Sequence, residues 1–275
     1  MAQRLPRARR SLGQNFLVSP GVVERILDAV AAPPALPVFE IGPGTGALTL
    51  PLAARGALVA AFEIDRALAG RLEAELGKNP RAEVVNADYR GIDLDAEAAA
   101  RGWTGYVLAG NIPYLLTSTI LLGLPGLARC RRAVIMVQRE VGERVLAPPG
   151  SRRCGILSVY LQAYLAVSRV MNVGAGSFRP RPKVDSVVLR FEPTAREGAP
   201  RDRGAFLALL KGAFAQRRKK LGNALAAAYG PEAATALAAG SGVDAGRRPE
   251  ELTLEEWFAL AEAAPAGGTL SDGKR

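Results

Sequence analysis

Chemistry first becomes legible in the segment Glu40-Ile-Gly42-Pro-Gly44-Thr-Gly46-Ala47. Glycines adopt backbone shapes closed to other residues and let main-chain amides come close to a ligand. The segment follows the apolar run Val38 to Ile41 and opens a helical pattern, so Glu40, Gly42 and Gly44 fall where a nucleotide-binding turn presents its backbone. Gly42, Gly44 and Ala47 also satisfy the dinucleotide spacing Gly-x-Gly-x-x-Gly/Ala, and this loop alone leaves a nicotinamide enzyme open. Glu63 closes the next apolar run 21 residues beyond Gly42, where a carboxylate can accept hydrogen bonds from both hydroxyls of a ribose. Asp88 closes a third in Asn86-Ala-Asp88-Tyr89, placed to accept from an adenine amine. Three strand ends thus converge on one nucleoside, with Ile64 and Tyr89 beside the two acids as further contacts. The chain contains no histidine, which removes the usual general base and the commonest metal ligand. No metal is implied.

A fourth run leads into Gly110-Asn111-Ile112-Pro113-Tyr114. From Asn111 this resembles the Asn/Asp-Pro-Pro-Tyr/Phe signature of amino-group methyltransferases. An exocyclic adenine amine is a poor nucleophile because its lone pair is delocalised into the ring, and fixed acceptors for its two protons favour a pyramidal nitrogen. The Asn111 carboxamide oxygen and the Ile112 carbonyl can be those acceptors. Tyr114, set by Pro113, offers an aromatic face for an extruded base, holding the nitrogen in line for transfer. No strong base is needed, because the methylated nitrogen becomes acidic and its proton can leave to water. A hydride-transfer enzyme would need an acid or base at this strand end, and none is present.

Such residues need a frame that brings strand ends together. Val22 to Val30 has helical spacing and is stopped by Pro33-Pro34. Strands are expected at Val38 to Ile41, Ala57 to Ile64, Glu83 to Ala87, Tyr106 to Ala109 and Ala133 to Val137, with helices at Ala67 to Leu76 and Thr117 to Leu122 between them. Alternation of this kind builds a parallel, doubly wound α/β sheet with its functional residues at the carboxyl ends of the strands. Leu157 to Leu165 reads as a helix, and Ala166 to Val173 and Asp185 to Phe191 as strands with no helix between, hence one antiparallel strand in a Rossmann-like class I methyltransferase sheet. Glu192 to Arg203 has the Pro, Gly and charge content of a linker. The expected division is a catalytic domain with a basic arm over 1–192 and a small α-helical domain over 193–275. Thr253 and Glu256 form a capping box for the last helix, and the Gly-rich stretch from Ala264 reads as a frayed tail.

The 275 residues are 49% hydrophobic and 23% charged, enough apolar material for a sizeable core. A formal charge of +10 favours an anionic partner. No apolar stretch approaches a membrane span, and Cys130 and Cys154 form no Cys-x-x-Cys pair, so a soluble, cytoplasmic chain with two reduced thiols is expected. Three basic clusters are candidates for RNA phosphate: Arg4, Arg7, Arg9 and Arg10, with no acid near them in sequence; Arg129, Arg131 and Arg132; and Arg217, Arg218, Lys219 and Lys220. Residues 1–192 hold 24 basic and 16 acidic side chains against 12 and 10 in 193–275, so RNA contact is expected to begin on the catalytic domain and extend over the tail helix.

Gln14-Asn15-Phe16-Leu17, Glu40 to Thr49, Asn86 to Tyr89, Asn111 to Tyr114 and Phe178-Arg-Pro-Arg-Pro-Lys-Val184 together resemble the bacterial ribosomal RNA small-subunit adenine dimethyltransferase family across nearly the whole chain. The resemblance implies S-adenosylmethionine as methyl donor and two adjacent adenines of small-subunit ribosomal RNA as substrate, within a pre-assembled subunit, for an enzyme acting as a monomer. It also implies that Asn15 and Leu17 contact the cofactor and that Phe178 faces Tyr114 across the target base. From the residues alone Asn15 reads as a turn residue and Phe178 as a core aromatic. Ile112 replaces a proline common in amino methyltransferases, and Arg181 one common in this family. A relative acting on large-subunit RNA, and an assembly factor that keeps the fold without turnover, are the competing readings.

Overall fold

A computed structural model describes residues 6, 8–9, 13–32, 35–112, 116–216 and 218–264. Among them the strands are β1 (Phe16–Leu17), β2 (Val38–Ile41), β3 (Val59–Glu63), β4 (Ala82–Asn86), β5 (Tyr106–Asn111), β6 (Cys130–Gln138), β7 (Leu165–Val173), β8 (Phe178–Arg179) and β9 (Ser186–Pro193). The α-helices are α1 (Pro20–Ala31), α2 (Thr49–Ala54), α3 (Arg66–Leu76), α4 (Leu94–Ala100), α5 (Thr117–Gly123), α6 (Arg139–Val145), α7 (Ile156–Tyr164), α8 (Arg203–Phe214), α9 (Leu221–Tyr229), α10 (Pro231–Ser241) and α11 (Leu254–Ala263).

Seven strands form one sheet in the order β4-β3-β2-β5-β6-β9-β7. Strands β2 to β6 pair in parallel, while β9 runs antiparallel to β6 from Ala133↔Phe191 to Gln138↔Ser186. Every residue of β2 and β3 is buried, the mark of parallel strands covered on both faces, which explains their unbroken apolar sequence. The chain winds outward from β2 in both directions, so the crevice for a ligand lies beyond the carboxyl ends of β2 and its neighbours. Gly110 makes the β2–β5 seam possible, because a Cβ there would stand 2.8 Å from the Ile41 carbonyl oxygen.

Helix α1 starts with Pro20 at its first turn, where a missing N–H costs nothing. Its stripe of Val22, Ile26, Leu27 and Val30 packs into a core with Val107, Val134, Met136, Phe178 and Val188. Each such side chain contributes about 2 kcal/mol by leaving water. A separate two-residue ribbon pairs β1 antiparallel with β8, Phe16↔Arg179 and Leu17↔Phe178. Sequence patterning gives no sign of it, since two residues carry no periodicity. Helix α4, also unforeseen, is short and set by Asp93, whose Oδ1 accepts the Asp95 and Ala96 N–H groups at 3.0 Å.

By contacts the chain forms two units, Met1–Gly142 with Val167–Pro193, and Glu143–Ala166 with Thr194–Arg275. The single boundary expected after residue 192 coincides with one crossing between them, but Glu143–Ala166 groups with the helical unit. Aromatic packing accounts for it: Tyr160 and Tyr164 of α7 meet Phe206 of α8 at ring distances of 6.3 and 6.2 Å. In that unit Phe214 stacks on Trp257 at 5.5 Å, and the Thr253–Glu256 box closes with bonds of 2.8 and 3.3 Å. The expected tail lies outside the described residues from 265 onward. Both cysteines are buried and not disulfide-bonded among the described residues, and no helix among the described residues is long and apolar enough to cross a membrane.

Candidate active site

The turn after β2 takes its shape from glycine. Gly42 and Gly44 have φ of 65° and 59°, and a Cβ on Gly44 would press against the Phe16 ring at 3.3 Å. The loop is tied to the end of β3: Glu63 Oε2 accepts the Gly44 N–H at 3.0 Å, and Oε1 accepts the Asp65 N–H at 2.9 Å. Glu63 is only 5% exposed, and burial raises its pKa against the pull of these main-chain donors. Deeper still, Glu40 accepts from Thr49 Oγ1 at 2.6 Å. Burial pushes its carboxyl up to about 7, opposed by the Thr49 hydroxyl and reinforced by Glu63.

Beyond β4, Asp88 caps a single 3-10 turn over Tyr89–Gly91, its Oδ1 accepting the Arg90 N–H at 3.0 Å. The Arg90 guanidinium pairs with the carboxylate at 2.6 Å and holds its pKa below the usual range. Asp88 is thus partly engaged already. Burial raises the Tyr89 hydroxyl, while Ile64 stands 49% exposed, an apolar side chain kept in the open at a strand end.

At the end of β5, Asn111 Nδ2 donates to the main-chain oxygen of Asn15 at 3.0 Å, and Asn15 Nδ2 donates to Gly13 O at 3.1 Å. Ile112 is buried, and its N–H reaches Met136 O at 3.4 Å. One cavity is lined by Asn15, Leu17, Glu40, Gly42, Gly44, Glu63, Ile64, Asp88, Tyr89, Asn111 and Ile112, so these residues expected from sequence meet in a single place. Pro113 and Tyr114 lie outside the described residues. Gln14, Phe16 and Leu116 also line the cavity, and sequence reading did not find them. Gln14 and Phe16 belong to the Gln14-Asn15-Phe16-Leu17 motif, of which only Asn15 and Leu17 are expected as contacts. Phe178, implied by resemblance to face the target base, is buried. It is 1% exposed, packs with the α1 stripe, and does not line the cavity.

The basic clusters fare unevenly. Arg4, Arg7, Arg10 and Arg217 lie outside the described residues. Arg9 does have an acid partner, distant in sequence: its Nε is 3.2 Å from Asp65 Oδ2. Arg132 is also reassigned, being 7% exposed in its side chain, paired with Glu192 at 3.1 Å and donating to the Ala32 carbonyl at 2.6 Å. It locks the end of α1 to the sheet instead of meeting solvent. Arg129 is half-buried and its N–H donates to Asp95, whereas Arg131, Arg218, Lys219 and Lys220 are exposed. Sequence reading passed over Arg179, Arg181 and Lys183, which are exposed and form no ion pair among the described residues.

A seven-stranded sheet in this order, one antiparallel strand, and a cavity across the strand ends ringed by glycines, three carboxylates and two asparagines define a class I methyltransferase. The chain belongs to the ribosomal RNA adenine dimethylase family, whose profile matches residues 6–265. It is 43% identical over 268 residues to the ribosomal RNA small subunit methyltransferase A of Geobacter metallireducens, covering 95% of this chain and 97% of that one. It is 45% identical over 269 residues to the protein of the same name from Anaeromyxobacter dehalogenans, covering 94% and 93%. Among solved structures it resembles the 23S rRNA methyltransferase ErmE, with a TM-score of 0.66 and 29% identity over 90% of this chain and 99% of that one. A dimethyladenosine transferase from Plasmodium falciparum shares the fold, with a TM-score of 0.72 and 23% identity over 89% and 95%.

Proposed function

We propose that this protein transfers methyl groups from S-adenosylmethionine to the exocyclic amine of two adjacent adenines in small-subunit ribosomal RNA, giving dimethyladenosines during subunit assembly in the cytoplasm. The observation that carries the reading is the Asn111 carboxamide, held by the Asn15 carbonyl at the rim of a cavity that also presents Glu63 and Asp88.

The cavity suits an adenosine-bearing donor. Glu63 stands where ribose hydroxyls can donate to it, Ile64 offers an exposed apolar face for a purine, and Asp88 keeps acceptor capacity for its amine. The Gly44 backbone leaves room that a Cβ would take. S-adenosylmethionine supplies a methyl on a sulfonium, already electrophilic enough to need no acid from the protein. The chain's part is to present the amine. Asn111 Oδ1 and the Ile112 carbonyl accept its two protons, localising the nitrogen lone pair. Tyr114 stacks on the flipped base and limits its motion. The proton on the methylated nitrogen departs to water, consistent with a chain that has no histidine. Exposed Arg131, Arg179, Arg181 and Lys183 on the first unit, and Arg218, Lys219 and Lys220 on the second, are the proposed phosphate contacts, and the enzyme acts as a monomer.

The likeness to ErmE keeps large-subunit RNA as a second reading. The small-subunit reading is favoured by relatives 43–46% identical over nearly their full lengths that bear small-subunit names. Small and large subunits lacking the modification, each incubated with protein and labelled cofactor and digested for mass spectrometry, decide between them. Dimethyladenosine in small-subunit RNA alone is the expected result.

A further inference from the structure

Asp65 does more than a helix cap requires. Its Oδ1 accepts the Ala67 N–H at 3.0 Å as the N-cap of α3, and its own N–H donates to Glu63 Oε1 at 2.9 Å. Its Oδ2, which the cap leaves over, receives Gln14 Nε2 at 3.2 Å and Arg9 Nε at 3.2 Å. The ring closes because the Arg9 main-chain N–H donates to Gln14 Oε1 at 2.7 Å. Asp65 is 4% exposed, so these two donors offset the desolvation of its charge. It does not line the cavity, but Gly13 to Leu17 do, and the Asn15 carbonyl in that segment holds Asn111.

We propose that Asp65 is a positioning residue: through Arg9 and Gln14 it fastens the Gly13–Leu17 segment over the cofactor cavity and thereby sets the orientation of the Asn111 carboxamide. This role rests on the methyltransferase reading above. It gives Arg9 a role behind the pocket, as a partner of Asp65. Because Asp65 also donates to Glu63, one residue links the segment that covers the cofactor to the acid that binds its ribose.

Asp65→Asn separates the two uses of the side chain. An asparagine oxygen still caps α3, while an amide group at the Oδ2 position turns a donor toward Gln14 and Arg9. In the full-length protein, hydrogen exchange of the Gly13–Leu17 amides without ligand should accelerate by about tenfold. Calorimetric affinity for S-adenosylhomocysteine should fall by about tenfold, and kcat on small subunits by more than KM rises. Thermal stability should stay close to that of the parent, because the cap survives. Arg9→Gln should give a smaller loss of the same kind, and Arg9→Lys should restore most of it. Unchanged exchange and unchanged affinity in Asp65→Asn would overturn the clasp. A parent protein that binds no S-adenosylhomocysteine would overturn the methyltransferase reading, while the ligand-free exchange experiment would still test the clasp.

Discussion

Asn111 and Asn15, 96 residues apart in sequence, are joined by a 3.0 Å bond from the Asn111 side-chain amide to the Asn15 carbonyl. On the proposed function, the bond leaves the oxygen end of the carboxamide for the substrate. With Nδ2 engaged, Oδ1 has no donor among the described residues and is left to accept from an amine. Replacing Asn111 by Ala should therefore lower turnover by about 100-fold or more while cofactor affinity stays near normal. Equal losses in both, measured by single-turnover kinetics and calorimetry, would make Asn111 a cofactor residue instead.

Glu63 receives main-chain N–H groups on both oxygens. Glu63→Gln puts an amide where one of those donors points and removes the charge that would meet the ribose. Affinity for S-adenosylmethionine should drop by about 1.5–3 kcal/mol, read by calorimetry. An unchanged affinity would remove Glu63 from the ribose site.

Glu40 predicts a pH dependence of stability. Its folded pKa, about 7, lies above the ordinary 4.5. Between these values the folded state holds a proton that the unfolded chain has released, so this group's contribution is full below about 4.5, declines as pH rises, and is lost above about 7. The shift is worth about 3 kcal/mol at most. Glu40→Gln keeps an acceptor for Thr49 and cannot ionise, so it should raise the melting temperature relative to the parent at pH 8 and leave it nearly unchanged at pH 4.5. Parallel melting curves for the two proteins across that range would rule out a raised Glu40.

Arg132 and the Arg218-Lys219-Lys220 group should separate structural from RNA-binding cations. Arg132→Ala strands Glu192 and the end of α1, costing about 2–3 kcal/mol of stability, and should leave the RNA affinity of the folded protein unchanged. Denaturant unfolding and filter binding measure the two effects.

Neutralising Arg218, Lys219 and Lys220 should instead leave stability alone and weaken RNA binding. For every phosphate that these side chains no longer neutralise, the plot of log affinity against log salt should flatten by about 0.7–0.9 units. An unchanged slope would make that cluster a solvated face.

Much of the fold and the site is legible in the sequence because parallel strands and glycine turns leave local marks. The runs at Val38 and Val59, the glycines between them, and acids at fixed distances beyond are short-range patterns, and Gly42, Gly44, Glu63 and Asp88 all line the cavity. What escapes depends on partners far away in sequence. Nothing near Arg9 announces Asp65, nothing near Arg132 announces Glu192, and charge alone makes both look like RNA contacts. The placement of Glu143–Ala166 with the helical unit is hidden likewise, since Tyr160 gains its meaning from Phe206.

The β1–β8 ribbon bears on how the enzyme is born. Phe16 and Leu17 find their strand partners in Arg179 and Phe178, close to the far end of the first unit. A chain emerges from the ribosome N-terminus first, so the glycine turn, Glu63, Asp88 and Asn111 are all made long before the strand that anchors the segment carrying Asn15. The nascent polypeptide can hold most of its sheet while the Asn15 carbonyl, already made, still lacks its anchoring strand. The ribbon can close only after about two-thirds of the 275 residues have been joined.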